Sequence, residues 1–290
     1  MTTAILEPAL ALARRSFLPR FLRGRPALVA GAALLLALAV LAIVAPWLSG
    51  NAQMISPLNR LRPPSAELWF GADQLGRDVF ARTLQGTRVS LVVGLSVALL
   101  SAGLGLAIGV LCGFYRRLDA VVMRVMDALM AIPSILLAIA LTTLVRGGVF
   151  VVIVAITIPE IPRVVRLVRS VVLTLRGQPY VVAAIAGGTR EWRIMTRHIV
   201  PNTLAPLIVQ ATYVCASAIL TEAGLSFIGA GVPPDVPSWG NIIAGARSYF
   251  QLAPWAIFFP GIGLALTVLA VNLLGDGLRD SLDPRASRRL

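Results

Sequence analysis

The chain has 290 residues, of which 57% are apolar and 13% charged, and its mean hydropathy is +0.83. A soluble domain is about one quarter charged, so this composition excludes a soluble enzyme or a disordered tail and points to a polytopic, all-α membrane protein. The charge is lopsided, with 26 basic residues against 13 acidic ones, and every basic residue is Arg. Because the Arg residues lie between long apolar runs, the high pI does not indicate nucleic-acid binding. Without Lys, a phosphate-binding loop ending in Gly-Lys-Ser/Thr and a Schiff-base lysine are both impossible. His198 is the one histidine, and Cys112 and Cys215 lie inside apolar runs. Triads, His-based metal clusters and disulfide frameworks are excluded on that count.

Residues 1–26 read as a basic N-terminal segment with Arg14, Arg15, Arg20, Arg23 and Arg25. A first transmembrane helix follows over 27–48, a stretch without a charge. Gly50 and Ala52 resemble a cleavage site, but this apolar run exceeds the usual 7–15 residues of a signal peptide. A Pro- and Gly-rich loop over 49–87 precedes a five-helix core over 88–276. The second span covers 90–114 and places Ser101, Gly105, Gly109 and Gly113 four residues apart. That spacing aligns small side chains on one face, where another helix can approach closely. The third span, 121–145, holds Arg124 and Asp127, which the spacing brings together as an ion pair. The fourth, 149–168, holds Pro159 and Pro162 around Glu160, so its second half is expected to kink or break. Two more spans cover 203–228 and 255–274, with a tail over 277–290. Trp47, Trp69, Trp239 and Trp255 fall near span ends and read as interfacial anchors.

Six spans put both termini on one side. With that side cytoplasmic, 19 Arg face the cytoplasm and 7 face out, as the positive-inside rule requires.

The loop over 175–206 is the informative segment. Two short helices fit, over 179–186 and 190–199, with Gly187 and Gly188 at the turn between them. The second alternates Trp192, Ile194, Met195 and Ile199 with Arg190, Arg193 and Arg197. Such a piece suits the membrane surface or an apolar groove on a soluble partner.

The run Ala183-Ala184, Gly188 and Pro201 resembles the signature loop of ABC importer permeases, E-A-A-x3-G-x9-I-x-L-P. Val182, His198 and Val200 stand where the family usually has Glu, Ile and Leu. Three further blocks strengthen the resemblance: FGADQLGRDVFARTLQGTRVSL from Phe70, TEAGLSFIGAGVPPDVPSWGNII from Thr221, and NLLGDGLRDSLDPR from Asn272. They are most similar to the second permease subunit of dipeptide and oligopeptide ABC importers (the DppC/OppC type).

The resemblance implies a type I ABC importer permease fold in the bacterial inner membrane, with both termini cytoplasmic. It implies a homologous second permease, two ATPase subunits that bind ATP and Mg, and an extracytoplasmic substrate-binding protein. No cofactor and no metal are expected in this chain, nor any catalytic residue. Ala183, Ala184, Gly188, Trp192, Arg193 and Pro201 would form the ATPase-coupling loop. Without the family's Glu at position 182, coupling would rely on shape and on Arg contacts. Glu222 and Asp235 are candidates for an outer gate or substrate path. No ionisable residue is expected at mid-bilayer, so the pore would be lined by small and apolar side chains.

The cargo stays open among peptides, nickel, glutathione and haem. A secondary transporter would carry internal repeats and midplane acids, and neither is evident in the sequence. A scaffold or channel subunit is disfavoured by the loop and the family blocks. An intramembrane enzyme would need a nucleophile–base pair or metal ligands within the spans, and none is found.

Overall fold

The structure is a computed structural model that describes residues 26–48, 50, 52–145 and 148–282. The basic N-terminal segment, Arg146 and the last eight residues of the tail lie outside the described residues. The helices in chain order are α1 (Pro26–Leu48), α2 (Val79–Phe114), α3 (Arg116–Ala131), α4 (Ser134–Leu144), α5 (Val149–Arg176), α6 (Pro179–Ala186), α7 (Glu191–Ile194), α8 (Val200–Phe227), α9 (Trp239–Ala246) and α10 (Trp255–Leu282). Among the described residues the only β feature is an isolated bridge between Ala72 and Asp78. The helices α1, α2, α10 and the run Glu191–Phe227 are each long and apolar enough to cross a bilayer. Together α3 and α4 supply a fifth candidate span, and the two are bent by 89°.

The central seam joins α2 to α5. A Cβ placed on Gly109 would lie 2.7 Å from Cβ of Val168, and one on Gly113 would lie 2.6 Å from Cγ1 of Val172. Gly105 faces Val164 in the same way. Equal steps along both helices make them parallel, and absent side chains let the two backbones come close. At the end of the seam, Arg176 donates from Nη1 to the carbonyls of Gly113 and Phe114, at 3.0 Å each. These are terminal carbonyls of α2 that lack helical partners.

A second seam joins α1 to α10. Cβ atoms on Gly31 and Gly277 would each fall 2.6 Å from backbone atoms, of Leu274 and Leu28 respectively. Here the register runs in opposite directions, so α1 and α10 are antiparallel. At the starts of α2 and α10, Trp239 Nε1 donates to the Thr83 carbonyl at 3.1 Å, and Trp255 Nε1 to that of Ala72 at 3.2 Å. The start of α1, the ends of α2, α5 and α10, and the α6–α7 segment therefore share one side.

Three expectations are corrected. The third span is not continuous: Ile132 is extended, with φ −91° and ψ 128°, ahead of Pro133. Proline disfavours helical geometry in the residue before it. The resulting α3 does not pair Arg124 with Asp127. Instead Asp127 accepts from Arg166 at 2.6 Å, and Asp119 holds Arg169 through both carboxylate oxygens. Conversely, α5 runs through Pro159 and Pro162 without a break. Its buried face (Pro162, Val164, Val165, Val168 and Val172) is held by packing, chiefly on α2. Finally, Trp47 and Trp69 are exposed but Trp239 is fully buried. Its indole fills the space left by Gly86 and Gly263, so it is a core residue and not an interfacial anchor.

Introducing a side chain into the central seam should be expensive. Gly109→Val is expected to cost about 1–3 kcal/mol by overpacking, read as a lowered thermal midpoint of the purified protein in detergent. The neighbouring Gly103, with nothing within 4 Å of its Cβ position, should tolerate Ala without such a loss.

Candidate functional site

The α6–α7 segment is a mount of two short helices joined by a capped turn. Proline at the first position of α6 fits the start of a helix, where no N–H partner is needed. The helix ends in a Schellman motif: Thr189 N–H donates to Ala184 C=O at 3.1 Å, and Gly188 N–H to Ile185 C=O at 3.0 Å. This motif needs a left-handed residue, and Gly188 supplies it with φ +72°. Gly187 stays at φ −75°, so one glycine of the pair makes the turn. After α7 the chain forms a π-helical turn over Met195–Ile199 and continues as α8. Pro201 is exposed near the start of α8.

Three buried side chains anchor the mount: Val181, Ile194 and Ile199. The sequence pattern grouped Ile194 and Ile199 with Trp192 on one docking face, but the fold separates them. Ile194 and Ile199 turn into the core, while Trp192 stays 57% exposed. The apolar surface left outside consists of Tyr180, Val182, Ile185 and Trp192. Ala183 and Arg193 are exposed beside it, and Ala184 is half-buried against the core. The rings of Tyr180 and His198 approach to 6.2 Å between centroids. The Tyr115 phenol is raised above its ordinary pKa, first by its hydrogen bond with Glu191 and then by burial.

The opposite side carries a folded cap over 52–78. Asp73 accepts from the N–H groups of Leu75 and Arg77 at 2.8 and 2.9 Å, and from Arg77 Nε at 2.7 Å. Arg82 Nε lies 3.8 Å from the same carboxylate. Asp78 caps α2 by accepting from Phe80 N–H at 2.8 Å, and burial raises its pKa against the pull of those backbone bonds. Phe70 stacks on Phe259 with centroids 3.9 Å apart.

Glu222 and Asp235 are not brought together as one site. Glu222 is fully buried in α8. It accepts from Ser226 at 2.8 Å and from Ser90 of α2 at 3.4 Å, and Ser226 in turn accepts from Val232 N–H at 3.1 Å. The carboxylate is thus a polar clamp between two spans and the loop that follows. Asp235 is exposed, and its backbone carbonyl accepts from Gln53 at 3.0 Å.

Another buried acid lies inside α5. Glu160 is buried at 5% exposure, accepting from Ser217 of α8 at 3.2 Å and from Arg163 at 3.3 Å. The sequence held a signal for this pair, an i,i+3 acid–base spacing inside the fourth span, but read alone that stretch marks only the place of a proline kink or break. Among the described residues there is no group of three His, Cys, Asp or Glu able to hold a metal.

The described residues thus combine bilayer-length helices, close glycine seams and an anchored segment with exposed apolar side chains. Residues 105–288 match the family of binding-protein-dependent transport system inner membrane components, and the chain belongs to that family. It is 57% identical over 270 residues to a Sinorhizobium fredii protein described as a probable peptide ABC transporter permease, covering 93% of each chain. It is 42% identical to the dipeptide transport system permease of Alkalihalophilus pseudofirmus, over 89% of this chain and 85% of the other. To the glutathione transport system permease of Pectobacterium atrosepticum it is 41% identical, over 93% and 91%. Its fold is shared with a chain of the inward-facing MetNI methionine ABC transporter, at a TM-score of 0.57 and 20% identity, over 70% of this chain and 98% of that one.

Removing the Glu222 carboxylate should destabilise the protein. Glu222→Ala leaves the buried Ser90 and Ser226 hydroxyls without their acceptor, at a cost of about 1–3 kcal/mol. Glu222→Gln retains an acceptor oxygen and should lose less. Thermal midpoints in detergent compare the two.

Proposed function

We propose that this chain is one of two permease subunits of an ATP-driven importer for short peptides, in a bacterial inner membrane with both termini in the cytoplasm. The α6–α7 mount then projects into the cytoplasm and docks on an ATPase subunit. ATP and Mg are bound by two such ATPase partners, because this chain has no lysine with which to build a phosphate-binding loop. A homologous permease completes the pore, and an extracytoplasmic binding protein delivers cargo to the cap over 52–78 and the segment around Asp235.

The observation that carries this reading is the exposed group Tyr180, Val182, Ile185 and Trp192 on an otherwise anchored mount. Several large apolar side chains exposed along one short segment suit contact with a partner. Val182, where the family usually has Glu, adds apolar area, and Arg190, Arg193 and Arg197 of the same segment are exposed. Movement of an ATPase would be passed through Val181, Ile194 and Ile199 into the core, and from there to α5 and α8. Packed helices of this kind switch between discrete arrangements and do not bend continuously. Peptide cargo is supported by relatives named for peptide and dipeptide transport. Glutathione, itself a short peptide, is the second reading.

The test is purification with the co-encoded transport subunits, reconstitution in lipid, and measurement of ATP-dependent peptide uptake. Gly188→Glu is expected to leave membrane insertion intact, to lower co-purification of the ATPases, and to reduce uptake at least tenfold. The left-handed φ costs a non-glycine residue about 1–2 kcal/mol, and the added charge lies beside the docking patch. Normal uptake by this variant would refute the coupling role. Uptake under an ion gradient without ATP would instead establish a secondary transporter.

A further inference from the structure

We propose that Arg163 lines the permeation path and receives a carboxylate of the passing substrate, with Glu160 holding the guanidinium from behind. The proposal rests on the importer reading above and adds a recognition site inside the membrane.

Depth comes first. The composition of α5 does not by itself mark a bilayer-crossing helix, so its depth follows from its neighbour α2, which is long and apolar enough to cross. Val164 faces Gly105, close to the middle of the uncharged run over 89–115 of α2, and this puts the adjacent Arg163 near that depth.

Exposure comes second. The Arg163 side chain is 55% exposed, whereas that of its partner Glu160 is 6% exposed. Glu160 is satisfied inside the subunit by Ser217 and by a single bond from Arg163 Nη1. Most of the guanidinium's five donors are thus turned outward. At this depth a guanidinium facing lipid tails is strongly disfavoured, and such residues face a bundle interior or a water-filled cavity.

The face it occupies is the third observation. Arg163, Arg166, Ser170 and Thr174 are all exposed, and their spacing puts them on one side of the helix. The other half of α5 exposes Phe150 and Val154 instead. Polarity switches at Arg163, so the polar stripe marks where α5 leaves an apolar environment for an aqueous one. Within the stripe, Arg166 is matched by Asp127 of α3. Arg163 has only the Glu160 buried behind it and keeps an open donor face. A planar guanidinium of this kind binds carboxylates in a bidentate manner, and every peptide with a free C-terminus offers one. A lipid phosphate has the same chemistry, as does an acidic residue of the second permease.

The experiment uses the complete importer reconstituted in vesicles, with tri-alanine and its C-terminal amide as cargo. For Arg163→Gln we expect uptake of tri-alanine to fall at least tenfold relative to wild type. Uptake of the amide should change less than threefold, and Arg163→Lys should recover part of the difference. In a background lacking Cys112 and Cys215, Arg163→Cys should react with a negatively charged, membrane-impermeant thiol reagent. Added tri-alanine should slow that reaction. Equal effects on both cargoes would overturn the proposal, as would loss of the second permease on purification, which assigns Arg163 to the subunit interface. An effect confined to vesicles containing anionic lipid would assign it to a headgroup and also overturn it. If wild type itself shows no ATP-dependent uptake, the importer reading fails independently of Arg163.

Discussion

At Gly105, Gly109 and Gly113 the backbone of α2 lies so close to α5 that no side chain fits between them. Inside a bilayer, apolar burial does little to drive helices together, because lipid tails are as apolar as leucine. Close backbone contact must supply the attraction through dispersion and fit. The seam also settles where everything on α5 sits. It fixes which turn of α5 faces α2, and so which faces receive Glu160, Arg163 and the arginines that meet α3. The seam holds α5 from Val164 to Val172, and the helix runs through its two internal prolines without a break.

Buried polar groups follow a common rule in this molecule. Each buried carboxylate in the spans is satisfied by hydroxyls or an arginine of the same subunit: Glu222 by Ser90 and Ser226, Glu160 by Ser217 and Arg163. An unpaired polar group in an apolar medium costs several kcal/mol, so these clamps add specificity to otherwise featureless apolar surfaces. They also pin α8 to α2 at one end and to α5 near its middle. The anchors of the α6–α7 segment lie in the same core as Val164, Val168 and Val172, and its Schellman turn sets the chain direction between α6 and α7.

Much was legible from one-dimensional patterns. Uninterrupted apolar length marked α1, α2, α8 and α10, because a bilayer imposes its own thickness on any helix that crosses it. The four-residue spacing of Ser101, Gly105, Gly109 and Gly113 marked the seam face, and the glycine pair at 187 and 188 marked the turn. These signals are local or periodic, so they survive without knowledge of neighbours. The resemblance to ABC importer permeases rested on blocks of residues that now have visible work: Asp73, Asp78 and Arg82 build the cap, and Glu222 builds the clamp.

What the chain alone could not decide was which partner each side chain meets. Asp127 had a candidate at Arg124 three residues away, yet the 89° bend at Pro133 turns α3 across α5 and gives it Arg166. Ile194 and Ile199 looked like companions of Trp192, yet Ile194, two residues on, lies on the other side of α7, and both isoleucines are buried in the core. Trp239 read as an interfacial anchor and is instead packed against glycines from two other helices. The sequence by itself determined the length and number of apolar runs, the small-residue face and the turn, because these depend on bilayer thickness and local backbone sterics. Only the tertiary structure decided that Glu222 is closed off, that Glu160 is buried and that Arg163 is open, because exposure depends on helices distant in sequence.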